Sequence, residues 1–304
     1  MAVKTGDSMK VVSGGQWAVL AMILSAAAWG MGIVMSKAVV TSVPPVTLLT
    51  IQLLASVAAL WSATFALRIP FRRRDLRHGW TGMFEPGIAY LIGLLGVQFT
   101  TASNATLIAA TEPFIILLLA VVFLREGITA RTIVLLIASM IGVVLVSGAQ
   151  PEQAAGSLTG DLLVFVGTAA AAVYVILSRK SVADVHPLPL AASQQSVGLL
   201  IALLALPVAL LLGEASQLSK LTVSSVAFAA FSGVVQYSLA FALYLTALKS
   251  IPATQAALYL TLIPVFGVGG AMLFLGERLS SVQMLGAAIV VLALVAFQRR
   301  QGSP

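Results

Sequence analysis

Two acidic side chains of this 304-residue chain, Glu85 and Glu112, lie inside long apolar runs, and each is followed directly by a proline, Pro86 and Pro113. An ionisable group in such a run is costly and as a rule faces a cavity or a partner helix. Proline inside a helix removes one N–H and frees the carbonyl four residues earlier, here those of Gly82 and Ala109. Each carboxyl therefore comes with a loosened turn and a spare acceptor, a combination able to hold a proton, a cation or an ammonium group. Glu112 falls midway along its run and Glu85 nearer the beginning of its own. At 1.5 Å per residue their depths differ by about 10 Å, which argues against one proton shared directly between them. The plainer alternative is a neutral carboxyl satisfied by a neighbouring helix.

Aromatic and amide side chains form a second set. Trp29, Tyr90, Tyr174, Gln236, Tyr237, Tyr244 and Tyr259 fall in the bodies of apolar runs, and Asn104 at the start of one. Tyrosine offers an apolar face and a hydroxyl, which suits the fixing of a small amphipathic solute. Packing between helices is the competing role, and Trp17, Trp61 and Trp80 suit anchoring at a membrane–water interface. Lys and Arg are absent from the centre of every run. A phosphate-bearing cargo calls for such a residue, so the cargo expected is neutral, zwitterionic or cationic. A half-helix N-terminus can still hold a carboxylate, which keeps amino acids within that class.

These residues need helices to carry them. Apolar residues make up 60% of the chain and charged ones 9%, with a mean hydropathy of +1.05. Soluble domains carry about 25% charged residues, so a water-facing globular enzyme is excluded. There is no cysteine, and only two histidines exist, His78 and His186, so disulfides, thiolate nucleophiles and multi-histidine metal sites are excluded as well. No cofactor is expected. About 20 apolar residues are needed to span a bilayer, and ten runs qualify or nearly do: 17–34, 45–67, 80–100, 105–124, 133–147, 162–177, 188–212, 223–248, 256–275 and 282–297. Their continuous apolar character, as in 115–124, is unlike the alternating strands of a membrane barrel. The expected fold is an all-α integral membrane protein of ten helices, with the first retained rather than cleaved as a signal.

The charge of +7 reads as topology. With the N-terminus inside, all of the 17 basic residues except Lys37, Lys220 and Arg278 fall on the inner side, as the positive-inside rule requires when both termini are cytoplasmic. The run Arg72–Arg74 is then a loop charge and a grip on anionic lipid, with no nucleic-acid partner implied.

A repeat divides the chain. Residues 102–126, ASNATLIAATEPFIILLLAVVFLRE, align without a gap on 253–277, ATQAALYLTLIPVFGVGGAMLFLGE, with Pro113/Pro264, Phe123/Phe274 and Glu126/Glu277 among eight identities. The string AAAWGMGIVMSK of the first run is similar to AAAAVYVILSRK of the sixth. Five helices per copy is an odd number, so the copies enter the membrane from opposite sides, an arrangement tied to alternating access around a site near the midplane. The division expected is 1–149 for the first half, 150–157 for an extracytoplasmic connection and 158–304 for the inverted second half. Glu126 and Glu277 end helices on opposite faces, each followed by a candidate N-cap, Thr129 or Ser280, and are read as anchors that organise tight turns. Pro113, Pro264, Gly267, Gly269 and Gly270 are hinge candidates, and Ala26/Gly30 and Ala28/Gly32 are small-residue pairs suited to close helix contact.

The proline inside helices four and nine, followed by FLRE or FLGE and then Thr or Ser, resembles the EamA-type family of the drug/metabolite transporter (DMT) superfamily. That resemblance covers nearly the whole chain, in two copies. It implies a ten-helix carrier of the cytoplasmic membrane, akin to bacterial exporters of amino acids and related metabolites, with a cavity lined by helices one, three, four, six, eight and nine. The partners expected are a small-molecule solute and membrane lipid, in a monomer or a homodimer. Proton coupling and facilitated diffusion both stay open. A channel fits an inverted duplication less well, and a membrane-embedded enzyme would need a nucleophile with a base, an aspartate pair or a metal cluster, none of which the runs contain.

Overall fold

The computed structural model describes residues 7–39, 42–100, 105, 108–146, 157–276 and 278–298, with the side chains of 7–14, 97 and 98 outside that description. Asn104, Glu277 and nearly all of the connection at 150–157 lie outside it too. The described residues contain no strand. Ten helices follow the ten apolar runs: α1 Asp7–Val39, α2 Pro45–Ala66, α3 Ala89–Phe99, α4 Glu112–Leu124, α5 Ala130–Val146, α6 Leu158–Ser181, α7 Pro187–Leu211, α8 Val223–Leu248, α9 Ala253–Leu275 and α10 Ser281–Gln298. Among the described residues seven of these, α1, α2 and α6–α10, are individually long and apolar enough to cross a membrane, while α4 and α5 are shorter apolar helices.

Three runs that the sequence presents as continuous are broken. The run at 80–100 divides into a 3-10 helix, Arg73–Met83, a π turn, Phe84–Ile88, and α3. Glu85 sits in the break with extended backbone (φ −147°, ψ 126°), ahead of a cis bond to Pro86. The run at 105–124 breaks at Thr111, just before Glu112 and Pro113. Run nine does the same: Thr261 interrupts α9 between Ala253–Leu260 and Leu262–Leu275. At both breaks a threonine hydroxyl turns back to donate to the carbonyl three residues earlier, Thr111 to Ile108 and Thr261 to Leu258, each at 2.6 Å. Such back-bonding competes with the helix ladder, and the following proline withdraws an N–H from the same turn.

The helices pack as two related sets. α1 lies against α8 and α9, as α6 lies against α3 and α4. α2 lies against α8, as α7 lies against the Arg73–Ile88 segment, while α2–α7, α4–α9 and α5–α10 pair directly across the interface. Side-chain bonds at the helix ends sort into two faces. At one end Ser157 donates to the Phe99 carbonyl, Thr100 bonds Asp161, and Gln283 reaches the Val146 carbonyl. At the other His78 meets Ser181, Arg131 reaches the Ala296 carbonyl, and Gln298 donates to Tyr259. We call these the Val39 end and the Ser181 end. α6 runs antiparallel to α3, which two short connections make parallel to α1, so the second half starts from the face opposite the first.

Paired glutamines lock this interface. Gln52 on α2 donates to Ser36 of its own half (2.8 Å) and to Ser232 of the other (2.9 Å). Gln194 on α7 donates to Ser178 of its own half (3.0 Å) and to Thr81 of the other (2.7 Å). The two clusters occupy opposite ends of the molecule. Both glutamine backbones approach a glycine closely: a Cβ on Gly233 would strike Gln52, and one on Gly82 would strike Gln194. Helix contacts in lipid rest on such small residues and interhelical hydrogen bonds, the latter worth about 0.6 kcal/mol each. Gly30 serves α1 likewise, since a Cβ there would lie 2.6 Å from the Ile263 carbonyl of α9.

Candidate functional site

The two breaks place their acids in one cavity. A lobe of about 500 Å³ is lined by Glu85, Ala89, Tyr90 and Gly93 beside α3, Ala109, Glu112 and Pro113 at α4, Gly167, Thr168 and Ala171 of α6, and Leu260, Thr261 and Pro264 of α9. A smaller lobe of about 170 Å³ shares Ile33, Glu85, Tyr90, Glu112, Leu260 and Ile263 with it and adds Trp29, Val175, Gln236 and Tyr244. Through Tyr90 and Gln236 this borders a third lobe of about 320 Å³, lined by Ser36, Lys37, Pro45, Gln52 and Tyr237. The reckoning of depth along straight helices does not apply here, because both helices are broken at the acids themselves. Glu85 and Glu112 border the same two lobes, and both are only half-buried because the cavity reaches them.

The sequence-derived residues divide into two groups. Trp29, Glu85, Tyr90, Glu112, Gln236, Tyr237 and Tyr244 line the lobes. Tyr174 and Tyr259 stand behind them, in bonds of their own: the Tyr174 hydroxyl donates to Gln194 Oε1 (3.0 Å), and Tyr259 accepts from Gln298 (3.1 Å). Asn104 lies outside the described residues. Pro113 and Pro264 line the large lobe, and Gly270 meets Met31 of α1, whereas Gly269 faces open space. The aromatic rings form one connected wall: Trp29 packs edge-on to Phe241 (4.9 Å) and Tyr244 (5.3 Å), and Tyr90 to Tyr237 (5.2 Å).

Polar satisfaction in this wall is uneven. Gln236 Oε1 accepts from Ser36 at 3.0 Å, and the Tyr90 hydroxyl is in hydrogen-bonding reach of Glu85. Trp29 Nε1 and the Tyr244 hydroxyl are buried with no partner among the described residues. Buried polar groups of this kind are rare and call for an explanation. Lys37, in the third lobe near the Val39 end, is the one basic residue among the described residues that lines any of the three. The lobes occupy the middle and the Val39 half, while Tyr174, Phe241, Leu248, Ala253 and Leu258 fill the Ser181 half with fully buried side chains.

Glu126 does more than organise its own turn. Its carboxylate crosses to the second half and accepts the backbone N–H groups of Ala253 (2.9 Å) and Thr254 (2.8 Å), at the start of α9. Glu214 does the same at the opposite end for α2, accepting from Val46 N (2.8 Å), Thr47 N (3.0 Å) and Thr47 Oγ1 (2.8 Å). The residues at both caps are prolines, Pro252 and Pro44, which have no side-chain group to offer, so the first N–H groups take a carboxylate from the other half. Gln52, Gln194 and Glu214 were missed in the sequence. Gln52 and Gln194 show no spacing signal, and Glu214 sits in a polar connection.

Comparisons with known proteins agree with this architecture. The chain is 23% identical over 287 residues to an uncharacterized transporter of Archaeoglobus fulgidus, covering 94% of this chain and 99% of that protein. It is 25% identical over 220 residues to the uncharacterized transporter YyaM of Bacillus subtilis, covering 71% of this chain and 70% of that one. A crystal structure superposes with a TM-score of 0.73 at 17% identity, covering 96% of this chain and 99% of that one, a likeness of fold. The EamA-like transporter family matches twice, over residues 16–148 and 158–297. With a match to each of its two halves, the chain belongs to the EamA-like transporter family.

Proposed function

We propose that the protein is a secondary transporter that moves a small neutral, zwitterionic or cationic metabolite, an amino acid or related compound, across the cytoplasmic membrane by alternating access. The observation that carries this reading is a cavity built from both halves, with two carboxylates at the breaks of helices three and four. The halves, 1–149 and 158–304, rock about the α2–α7 and α5–α10 contacts. Ten spans with both termini in the cytoplasm make the Ser181 end the inner face and the Val39 end the outer. The cavity bias toward the Val39 end then corresponds to an outward-open state, and the breaks at Thr111 and Thr261 supply the hinge points. Export is the direction expected from the resemblance to bacterial exporters; the distribution of basic residues sets only which face is cytoplasmic.

Counterflow in proteoliposomes tests the reading. Purified protein is reconstituted with a high internal concentration of an unlabelled amino acid or amine, and uptake of a labelled trace is followed. Transient accumulation above equilibrium, saturating with concentration, is the expected result. Non-saturating flux without overshoot would make the protein a channel-like facilitator instead.

A further inference from the structure

The small lobe has an unusual inventory for an apolar membrane interior. Two carboxylates, Glu85 and Glu112, face it, and no described Lys, Arg or His lines it or the large lobe. A carboxyl in a medium of low dielectric is held either by a proton or by a positive partner, and two of them with no basic neighbour make a seat that a positive group can fill. Its other walls are aromatic: Trp29, Tyr90 and Tyr244 border the same lobe, and ring faces attract a cation, Trp the most strongly. A bare metal ion gains little there, because hard cations take six or more oxygen ligands; a substituted ammonium gains from both carboxylate and ring.

A second, independent feature constrains the rest of the molecule. Trp29 Nε1 and the Tyr244 hydroxyl are buried without a partner among the described residues. Indole N–H only donates, so it calls for an acceptor. A carboxylate as that acceptor would sit beside two others with no basic residue to balance it, at a cost of several kcal/mol for each unpaired charge. An uncharged acceptor, an amide, ester or hydroxyl oxygen, carries no such cost. The large lobe beyond, walled by Ala89, Gly93, Ala109 and Ala171, leaves room for an apolar body.

We propose that this site selects an organic cation: an amine whose ammonium lies at Glu85 and Glu112, whose uncharged acceptor meets Trp29 and Tyr244, and which bears no carboxylate. This rests on the carrier reading and narrows its cargo, placing amino amides, amino esters and amino alcohols above the zwitterionic amino acids.

Four probes that share one phenylalkyl body separate the terms: phenylalaninamide (cation and neutral acceptor), phenethylamine (cation alone), phenylalanine (zwitterion) and 3-phenylpropionamide (acceptor alone). Binding to the purified full-length protein is read by thermal shift, since a ligand of the folded state raises its melting temperature. Phenylalaninamide should bind most tightly, with phenylalanine weaker by about tenfold or more, the size of one lost charged hydrogen bond. Glu85→Gln and Glu112→Gln should each abolish the preference of amine over 3-phenylpropionamide. Trp29→Phe should weaken phenylalaninamide more than phenethylamine, since it removes the N–H that meets the acceptor and only weakens the ring that meets the cation. Equal or tighter binding of phenylalanine, insensitivity to both glutamine variants, or no shift with any probe would each overturn the proposal. Binding in detergent is independent of flux, so counterflow with a different cargo would leave transport standing while this assignment fell.

Discussion

The Glu126 carboxylate of the first half accepts the backbone N–H of Thr254 in the second at 2.8 Å. Together with the bond to Ala253 it ends one half's fourth helix on the other half's ninth, the helix that lines the cavity at Leu260 and Thr261. A carboxylate on exposed helix N–H groups stabilises both by hydrogen bonding and by the helix dipole. Glu126→Ala should therefore destabilise the protein by about 1–3 kcal/mol, seen as a lower melting temperature. Glu214→Ala should do the same through α2. An unchanged melt in both variants would show that the caps are supplied from elsewhere.

Close approach at the interface gives a sharper contrast. A Cβ on Gly82 or Gly233 would collide with the backbone of Gln194 or Gln52, whereas one on Gly269 meets nothing within 4 Å. Gly82→Ala and Gly233→Ala should each lower stability by about 1–3 kcal/mol, the usual range for overpacking. Gly269→Ala should be neutral or gain up to about 1 kcal/mol from helix propensity. Size-exclusion profiles and thermal melts of the three variants check the ranking.

Gln195 on α7 is fully buried, and neither amide atom has a partner among the described residues. Replacing an unpaired amide by a hydrocarbon of similar size removes a desolvation penalty of about 1–3 kcal/mol. Gln195→Leu should raise the melting temperature without altering counterflow. A large loss of stability instead would reveal a partner for the amide, such as ordered water.

Tyr244→Phe offers the same gain at the site itself. The Tyr244 hydroxyl is buried and unpartnered, so its removal should stabilise the empty protein and weaken solute binding together. Stabilisation with unchanged binding would place the solute away from this hydroxyl.

His186 caps α7, its Nδ1 accepting from Leu188 N at 3.3 Å. Partial burial, with a smaller push from the Lys249 charge, holds its pKa below the ordinary 6.5. The unfolded chain then takes up the proton first, so stability is retained above pH 6.5 and falls as the pH drops below it. His186→Asn keeps a capping side chain without titrating, and its melting temperature should vary less between pH 7.5 and 5.5 than that of the parent. Identical pH profiles for the two proteins would remove His186 as the cause.

Much was legible in the residues taken in order. Apolar runs placed the helices seen among the described residues, because lipid demands hydrophobic length whatever the tertiary arrangement. The aligned strings around Pro113 and Pro264 announced the duplication, and Glu85 and Glu112 stood out because acids are rare in such runs. What the sequence by itself determined, then, was the lipid solvent, the helical fold in two related halves, and a short list of candidate groups. Only the tertiary structure decided that both acids share two lobes: the prolines mark loosened turns in the sequence, but what those turns face is set by the helices packed around them. It alone separated Tyr244, which lines the cavity, from Tyr174, which bonds Gln194 behind it. It alone found Glu126 and Glu214 capping helices 127 and 168 positions away. The reason is physical: hydropathy is a property of each residue against its solvent, whereas a partner across an interface is fixed by the fold of the whole chain.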